Sequence, residues 1–185
     1  MKSKYISSML LVCIAFLSAS FSGFGQQKSV DLQLDPIIFF IGGAGGEVGY
    51  SKDNHRIYAT AVSYEAPDFL KEDERFDENR DLILGIGYQY FLKEHLDGLY
   101  VGVNLLNTWA TFSNPATGNS LESTTLRTSL RVGYHFYPFP KLDLFINPWI
   151  GPNLNLNAED FEIDALAIER AIFNFTGTIH IGYRF

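Results

Sequence analysis

The chain has 185 residues, with 14 Lys and Arg against 21 Asp and Glu, a formal charge of −7, and an aromatic content of 15%. Binding nucleic acid or an anionic membrane surface needs clustered bases, so this balance argues against both. The only cysteine is Cys13. It sits in a segment that is removed on export, so disulfides and thiolate chemistry are excluded from what remains.

That segment is the first 25 residues. Lys2 and Lys4 precede an apolar run from Met9 to Leu17, and small residues follow in "SASFSGFG". This is the order of a secretory signal peptide, with cleavage expected near Gly25. The run is too short for a bilayer-spanning helix, which needs roughly twenty residues. Val12 and Leu11 before Cys13 do not suit a lipoprotein cleavage site. Losing Lys2 and Lys4 moves the charge from −7 to −9. Residues 26 to 185, about 160 in all, suffice for one domain.

Period-2 alternation then recurs along the chain. "SVDLQLDP" sets Val30, Leu32 and Leu34 against Asp31, Gln33 and Asp35. The apolar run Ile37 to Ile41 breaks the pattern, and Gly42 to Gly46 predicts a tight outer turn before a strand from about residue 45. "GGAGGEVG" lacks the Lys-Ser/Thr ending of a phosphate-binding loop and the GxGxxG spacing. Arg56 to Glu65 alternates weakly, with Tyr58, Val62 and Tyr64 on its apolar side. From Leu82, the residues Leu84, Ile86, Tyr88 and Tyr90 oppose Gly85, Gly87 and Gln89. From Leu99, the residues Val101, Val103, Leu105 and Trp109 oppose Tyr100, Gly102, Asn104, Leu106 and Thr108.

The late strands are the clearest. From Thr125, the apolar Leu126, Leu130, Val132, Tyr134 and Phe136 oppose Arg127, Ser129, Arg131 and His135. From Leu142 to Asn157 the even residues, with Pro148 and Pro152 among them, oppose Asp143, Asn147, Trp149, Asn153 and Asn155. Prolines there, and at Pro36, predict bulges or strand ends. "IFNFTGTIHIGYRF" closes the chain, with Phe173, Phe175, Ile179, Ile181, Tyr183 and Phe185 on one face.

These stretches match the roughly nine to eleven residues of a tilted membrane-crossing strand. Short connections at 51–55, 93–98 and 138–141 alternate with long polar ones at 66–80, 113–124 and 158–170, as in transmembrane barrels. Alternation alone fits a soluble lipocalin-like barrel too. Lumen-sized Gly, Asn, Thr and Ser on the polar faces, aromatics near strand ends and charge in the long loops favour lipid outside. The fold class expected is therefore all-β: a closed antiparallel transmembrane β-barrel of eight strands.

"IHIGYRF", with "LRVGYHFYPF" and "LFINPWIGPNLNL", resembles small bacterial outer-membrane β-barrels of Bacteroidota type, OmpX- or OmpW-like in general architecture, and "FGQQ" is similar to the end of Bacteroidota export signals. The resemblance implies an outer-membrane location in a Gram-negative bacterium. It also implies an assembly signal at Tyr183 and Phe185 read by the barrel-assembly machinery, and contact with outer-membrane lipid and lipopolysaccharide. Its motifs specify no reaction.

The lumen-facing residues Glu47, Arg127, Arg131, His135, Asp143, His180 and Arg184 predict a polar network, with the arginines paired to Glu47, Asp143 or Asp31 because an unpaired buried charge is costly. His55 and His95 fall in short turns. No catalytic, cofactor-binding or metal-binding residue is expected. "KEDERFDENR" lacks the residue order of a calcium loop, and the N-x-T at Asn174 lies inside a strand. The functional expectation is a structural or surface-interaction role through the long loops, with an unnamed extracellular ligand. The alternatives are a narrow channel for small or hydrophobic solutes, and a lipid A deacylase or acyltransferase.

Overall fold

The computed structural model describes residues 28–71, 73–93, 96–139, 141–157 and 159–185. The expected signal segment, its expected cleavage site and His95 lie outside the described residues. The barrel strands are β1 (Lys28–Leu34), β2 (Ala44–Lys52), β3 (His55–Glu65), β4 (Asp77–Phe91), β5 (Gly98–Ser113), β6 (Ser120–His135), β7 (Leu144–Asn155) and, after a small hairpin of β8 (Phe161–Ile163) and β9 (Leu166–Ile168), β10 (Phe173–Arg184). A short helix, α1 (Pro36–Phe40), joins β1 to β2. The eight long strands close in the order β1-β10-β7-β6-β5-β4-β3-β2, every neighbour antiparallel.

The two faces of this wall decide between the soluble and membrane readings. Outward positions are apolar and bare: Ile86 is 64% exposed, Ile150 62% and Leu130 61%. Inward positions are polar and covered, with Asp31, Arg56, Gln89, His135 and Asn147 at 0%. A soluble barrel has the reverse distribution, so the solvent this wall matches is hydrocarbon. Tyr50, Tyr88, Tyr90, Tyr134 and Tyr183 stand exposed toward the short-turn end, where an interfacial aromatic girdle belongs.

Three expectations are corrected. In β3 the inward face carries Arg56, Tyr58, Thr60, Val62 and Tyr64, and it is Ile57 and Ala59 that look out. Tyr58, counted as apolar, is 4% exposed and lies between the guanidinium groups of Arg56 and Arg131, at 4.8 and 5.2 Å from its ring centre. The connections at 66–80 and 113–124 are shorter than expected, because β4, β5 and β6 run 15, 16 and 16 residues and pair well beyond the membrane-crossing length. The prolines of β7 cause no slip: Ser129 opposite Asn153, Val132 opposite Ile150 and Phe136 opposite Ile146 keep one register, and the ladder to β6 is interrupted beside Pro148 and again beside Pro152. Gly151 meets the Leu130 carbonyl there so closely that no Cβ fits.

Inside the barrel, aromatic rings lie over glycines of the adjoining strand. A Cβ at Gly87 would overlap the Tyr58 ring, one at Gly133 the Tyr100 ring, and one at Gly182 the Phe145 ring. An eight-stranded lumen has room for side chains only if large and small alternate across it. Gly133→Val should therefore cost about 1–3 kcal/mol by overpacking. The check is the urea midpoint for unfolding from vesicles, and an unchanged midpoint would show that the Tyr100 ring is free to move aside.

Candidate functional site

The lumen holds one continuous polar cluster, and each of the eight barrel strands contributes a residue to it: Asp31, Glu47, Arg56, Gln89, Tyr100, Arg131, Asn147 and His180. Arg56 is its centre. Its Nε donates to both Asp31 carboxylate oxygens at 3.1 and 3.0 Å, Nη2 donates to Asp31 at 2.7 Å, and Nη1 donates to Glu47 at 3.2 Å and to Gln89 Oε1 at 3.0 Å. The other Glu47 oxygen accepts from Arg131 at 2.7 Å. Two guanidinium groups thus face two carboxylates, and the charges cancel where water is excluded.

Neutral amides extend the cluster. Gln33 donates to Asp31 at 3.2 Å and accepts from Asn147 at 2.8 Å, and Asn147 in turn accepts from the Tyr100 hydroxyl at 2.9 Å. The Arg131 guanidinium lies 3.9 Å from the centre of the Trp149 ring. His135, fully buried, is packed among Phe91, Tyr100 and Phe145, and among the described residues neither of its ring nitrogens has a hydrogen-bond partner.

Of the residues expected to form the network, Glu47, Arg131 and His180 meet in this cluster, and His135 lies beside it among aromatic rings. Arg127 lies higher and donates to Asn155 Oδ1 at 2.8 Å. Arg184 sits lower, over the rings of Tyr137 and Phe145. Asp143 is not in the lumen: it is exposed on the turn before β7, and with Lys28, Asp53, Arg184 and Phe185 it lines a cavity of about 220 Å³ at the inner mouth. Sequence reasoning passed over Arg56. The available signal was its parity with Tyr58 and Thr60, read once Ile57 and Ala59 are taken as the lipid face.

His180 also has a second neighbour. Its Nε2 is 3.5 Å from Asp35 Oδ2 and its Nδ1 is 3.3 Å from Gln33 Oε1. The Thr178 hydroxyl donates to Asp35 at 3.1 Å, not to the imidazole, so Thr178 is not activated by His180 as a nucleophile of acyl transfer would be. Asp35 is occupied structurally: it caps α1 by accepting from the Ile37 and Ile38 amides at 3.0 and 3.3 Å.

The outer mouth is closed differently. Ile163 and Ile168 of the β8–β9 hairpin are buried against Phe76, Ala110 and Phe112, with Leu121 and Phe161 packed alongside. Arg170 ties the hairpin's base to β6, donating to the hydroxyls of Ser123 at 2.9 Å and Thr125 at 2.8 Å. At the hairpin tip, Asp164 and Ala165 take positive φ values of 55° and 62°, and the Asp164 carboxylate accepts from Thr117, Asn119 and Asn114. Those hydrogen bonds, Thr117's first, hold its pKa below the ordinary aspartate value. Within the stretch expected to be a long polar loop, residues 161–168 therefore form a hairpin lid. Among the described acids of the 66–80 stretch, Asp68 and Asp77 pair with Lys71 and Asp73 with Arg75, and no group of three or more acids or histidines converges on a common point.

Among solved structures, the N-terminal β-barrel domain of Pseudomonas aeruginosa OprF is similar over 87% of this chain and 100% of its own, with 15% identity and a TM-score of 0.50. The fold is that of an outer-membrane β-barrel. A major outer membrane protein of Thermus thermophilus matches with 15% identity and a TM-score of 0.49, over 87% of this chain and all of its own. Neisserial surface protein A matches with 11% identity and 0.47, over 86% and 97%. No family model matches the sequence, nor does any curated protein.

If the Arg56 cluster holds the barrel together, Glu47→Gln should destabilise it by about 3 kcal/mol, since two buried guanidinium groups then share one carboxylate. The double variant Glu47→Gln with Arg131→Met should recover part of that loss in vesicle unfolding. Strict additivity of the two changes would show that the pair is not coupled.

Proposed function

We propose that this protein is an outer-membrane barrel of a Gram-negative envelope with a closed lumen, acting through the surface built from its outer loops. The observation that carries this reading is closure at two levels. A charge-neutral cluster spans the lumen near the short-turn end, and an apolar hairpin lid seals the long-loop end. A conduit needs a continuous wet path, and both closures argue against one. The lid is linked to the 114–119 turn through Asp164 and to the 66–76 loop through Arg75, whose Nη2 donates to the Ala167 carbonyl at 2.9 Å. The three loops therefore present one joined polar surface, the property a recognition face requires.

Two measurements test this together. In planar bilayers the wild-type barrel should show no conductance steps; discrete steps would replace the closed-lumen reading with the channel alternative. Replacing residues 160–169 by a Gly-Ser link should abolish any adhesion that expressing cells show to one another or to a coated surface, while heat-modifiable gel mobility persists. Adhesion that survives this replacement unchanged would remove the loop surface from the function.

The closing end of β10 fits the envelope reading. Tyr183 and Phe185 lie on the exposed apolar side, their rings 4.9 Å apart, and the Phe185 amide donates to the Val30 carbonyl across the closing strands at 2.8 Å. We assign these two residues as the handle for the assembly machinery. Phe185→Asp should sharply reduce the heat-modifiable form in membrane fractions, and normal assembly of that variant would refute the assignment.

A further inference from the structure

The barrel is closed unevenly. β7 pairs with β10 along its whole length, from Phe173 to Tyr183. On its other side β10 pairs with β1 only from Ile181 to Arg184, because β1 ends at Leu34 and the chain turns into α1. Among the described residues, Phe173–His180 has no strand partner on that side. The Arg184 amide points to β7, donating to Asp143, and the Phe185 amide points to β1, donating to Val30. By alternation the amides and carbonyls of Ile179, Gly177, Phe175 and Phe173 point into the seam.

The seam reaches the lumen. Thr176 shares the inward face with His180 and Gly182, which are buried, yet Thr176 is exposed. Trp149, the inward-facing partner of Thr178 in the ladder, is partly exposed too. The hairpin lid packs over the β4–β6 side of the mouth and the Arg56 cluster fills the lumen below His180, while on the β10 side the wall itself lacks a strand above Ile181. The rim is apolar, with Phe40 90%, Phe175 68%, Phe173 56% and Phe39 49% exposed, while Thr176, Thr178, Asp35 and His180 line the inside.

Free backbone groups facing hydrocarbon cost several kcal/mol each, and alkyl chains cannot satisfy them. We infer that the seam between β10 and α1 is a lateral binding site for a bilayer amphiphile carrying amide or hydroxyl groups. Its polar groups pair with the Phe175 and Gly177 backbone and Thr176, while its chain lies on the rim of Phe39, Phe40, Phe173 and Phe175. The long-loop position of the seam puts the amphiphile in the outer leaflet. The inference rests on the membrane reading proposed above.

Tryptophan quenching tests it, because bromine quenches at contact. Trp109→Phe leaves Trp149 as reporter, and Trp149→Phe leaves the lipid-facing Trp109. The probes are an N-acyl amino alcohol brominated near its amide, and phosphatidylcholine brominated at the same depth, in phosphatidylcholine vesicles. Trp149 should be quenched about fivefold more by the amide probe than by the phospholipid, the difference one hydrogen bond makes. Thr176→Phe, which fills the seam, should abolish that difference. Absent or equal quenching of Trp149 by the two probes overturns the site, as does quenching by aqueous iodide, which would mean a water-filled path. Failure of both probes to quench Trp109 would instead refute membrane insertion itself.

Discussion

The ion-paired cluster centred on Arg56 is the constraint on which the rest of the barrel depends. A guanidinium at 0% exposure is tolerable only if its donors are met, and Asp31, Glu47 and Gln89 meet them from three other strands. Satisfying them sets the heights of β1, β2, β3 and β4 relative to one another. Arg131 and Tyr100 carry the same requirement to β6 and β5, and Asn147 and His180 carry it to β7 and β10. In a strand, a slip of one residue turns every side chain to the opposite face. For this barrel such a slip would put a charge into lipid, so the polar cluster specifies register more sharply than the apolar face does.

This reverses the usual division of labour between core and surface. Lipid tails are as apolar as Leu or Ile, so the exposed band of Ile57, Ile86, Leu130 and Ile150 solvates the protein without drawing the strands together. Cohesion comes from the ladder and from the packed lumen. That explains the glycines at 87, 133 and 182. Each removes a Cβ so that a ring from the next strand can cross the interior, and across Gly133 the Tyr100 hydroxyl thereby reaches Asn147 in the cluster.

Much of this architecture was legible in the sequence, and the failures have specific causes. β4, β5, β6, β7 and β10 alternate strongly because one face must suit hydrocarbon and the other a polar interior, so period and parity together identify them. β3 misled because tyrosine serves on either face: at Tyr88 and Tyr90 it is interfacial, at Tyr58 it is a lumen filler. Once that face was inverted, Arg56 was lost with it. Glu47, Arg131 and His180 were readable as single charges on polar faces, but their partners depend on which strands meet across the lumen, and no local pattern encodes that. Asp143 was placed inward by parity alone, although the strand begins one residue later, at Leu144.

The remaining misses share a physical origin. α1 and the β8–β9 hairpin are short elements that exist because of what they cover, not because of their own periodicity. Ile163 and Ile168 are buried only because the hairpin folds onto Phe76, just before β4, and Phe112 of β5, both distant in sequence. Pro36 to Phe40 form a helix because Pro36 starts it and Asp35 caps it, while Thr178 of the last strand holds that cap in place. Both elements lie where the barrel departs from a uniform cylinder: one seals its outer mouth, the other ends β1 early and leaves β10 with an open edge. A uniform eight-stranded barrel offers a ligand only its loops. This one adds a slot in its wall, and the same Asp35 that ends β1 supplies the slot with its innermost carboxylate.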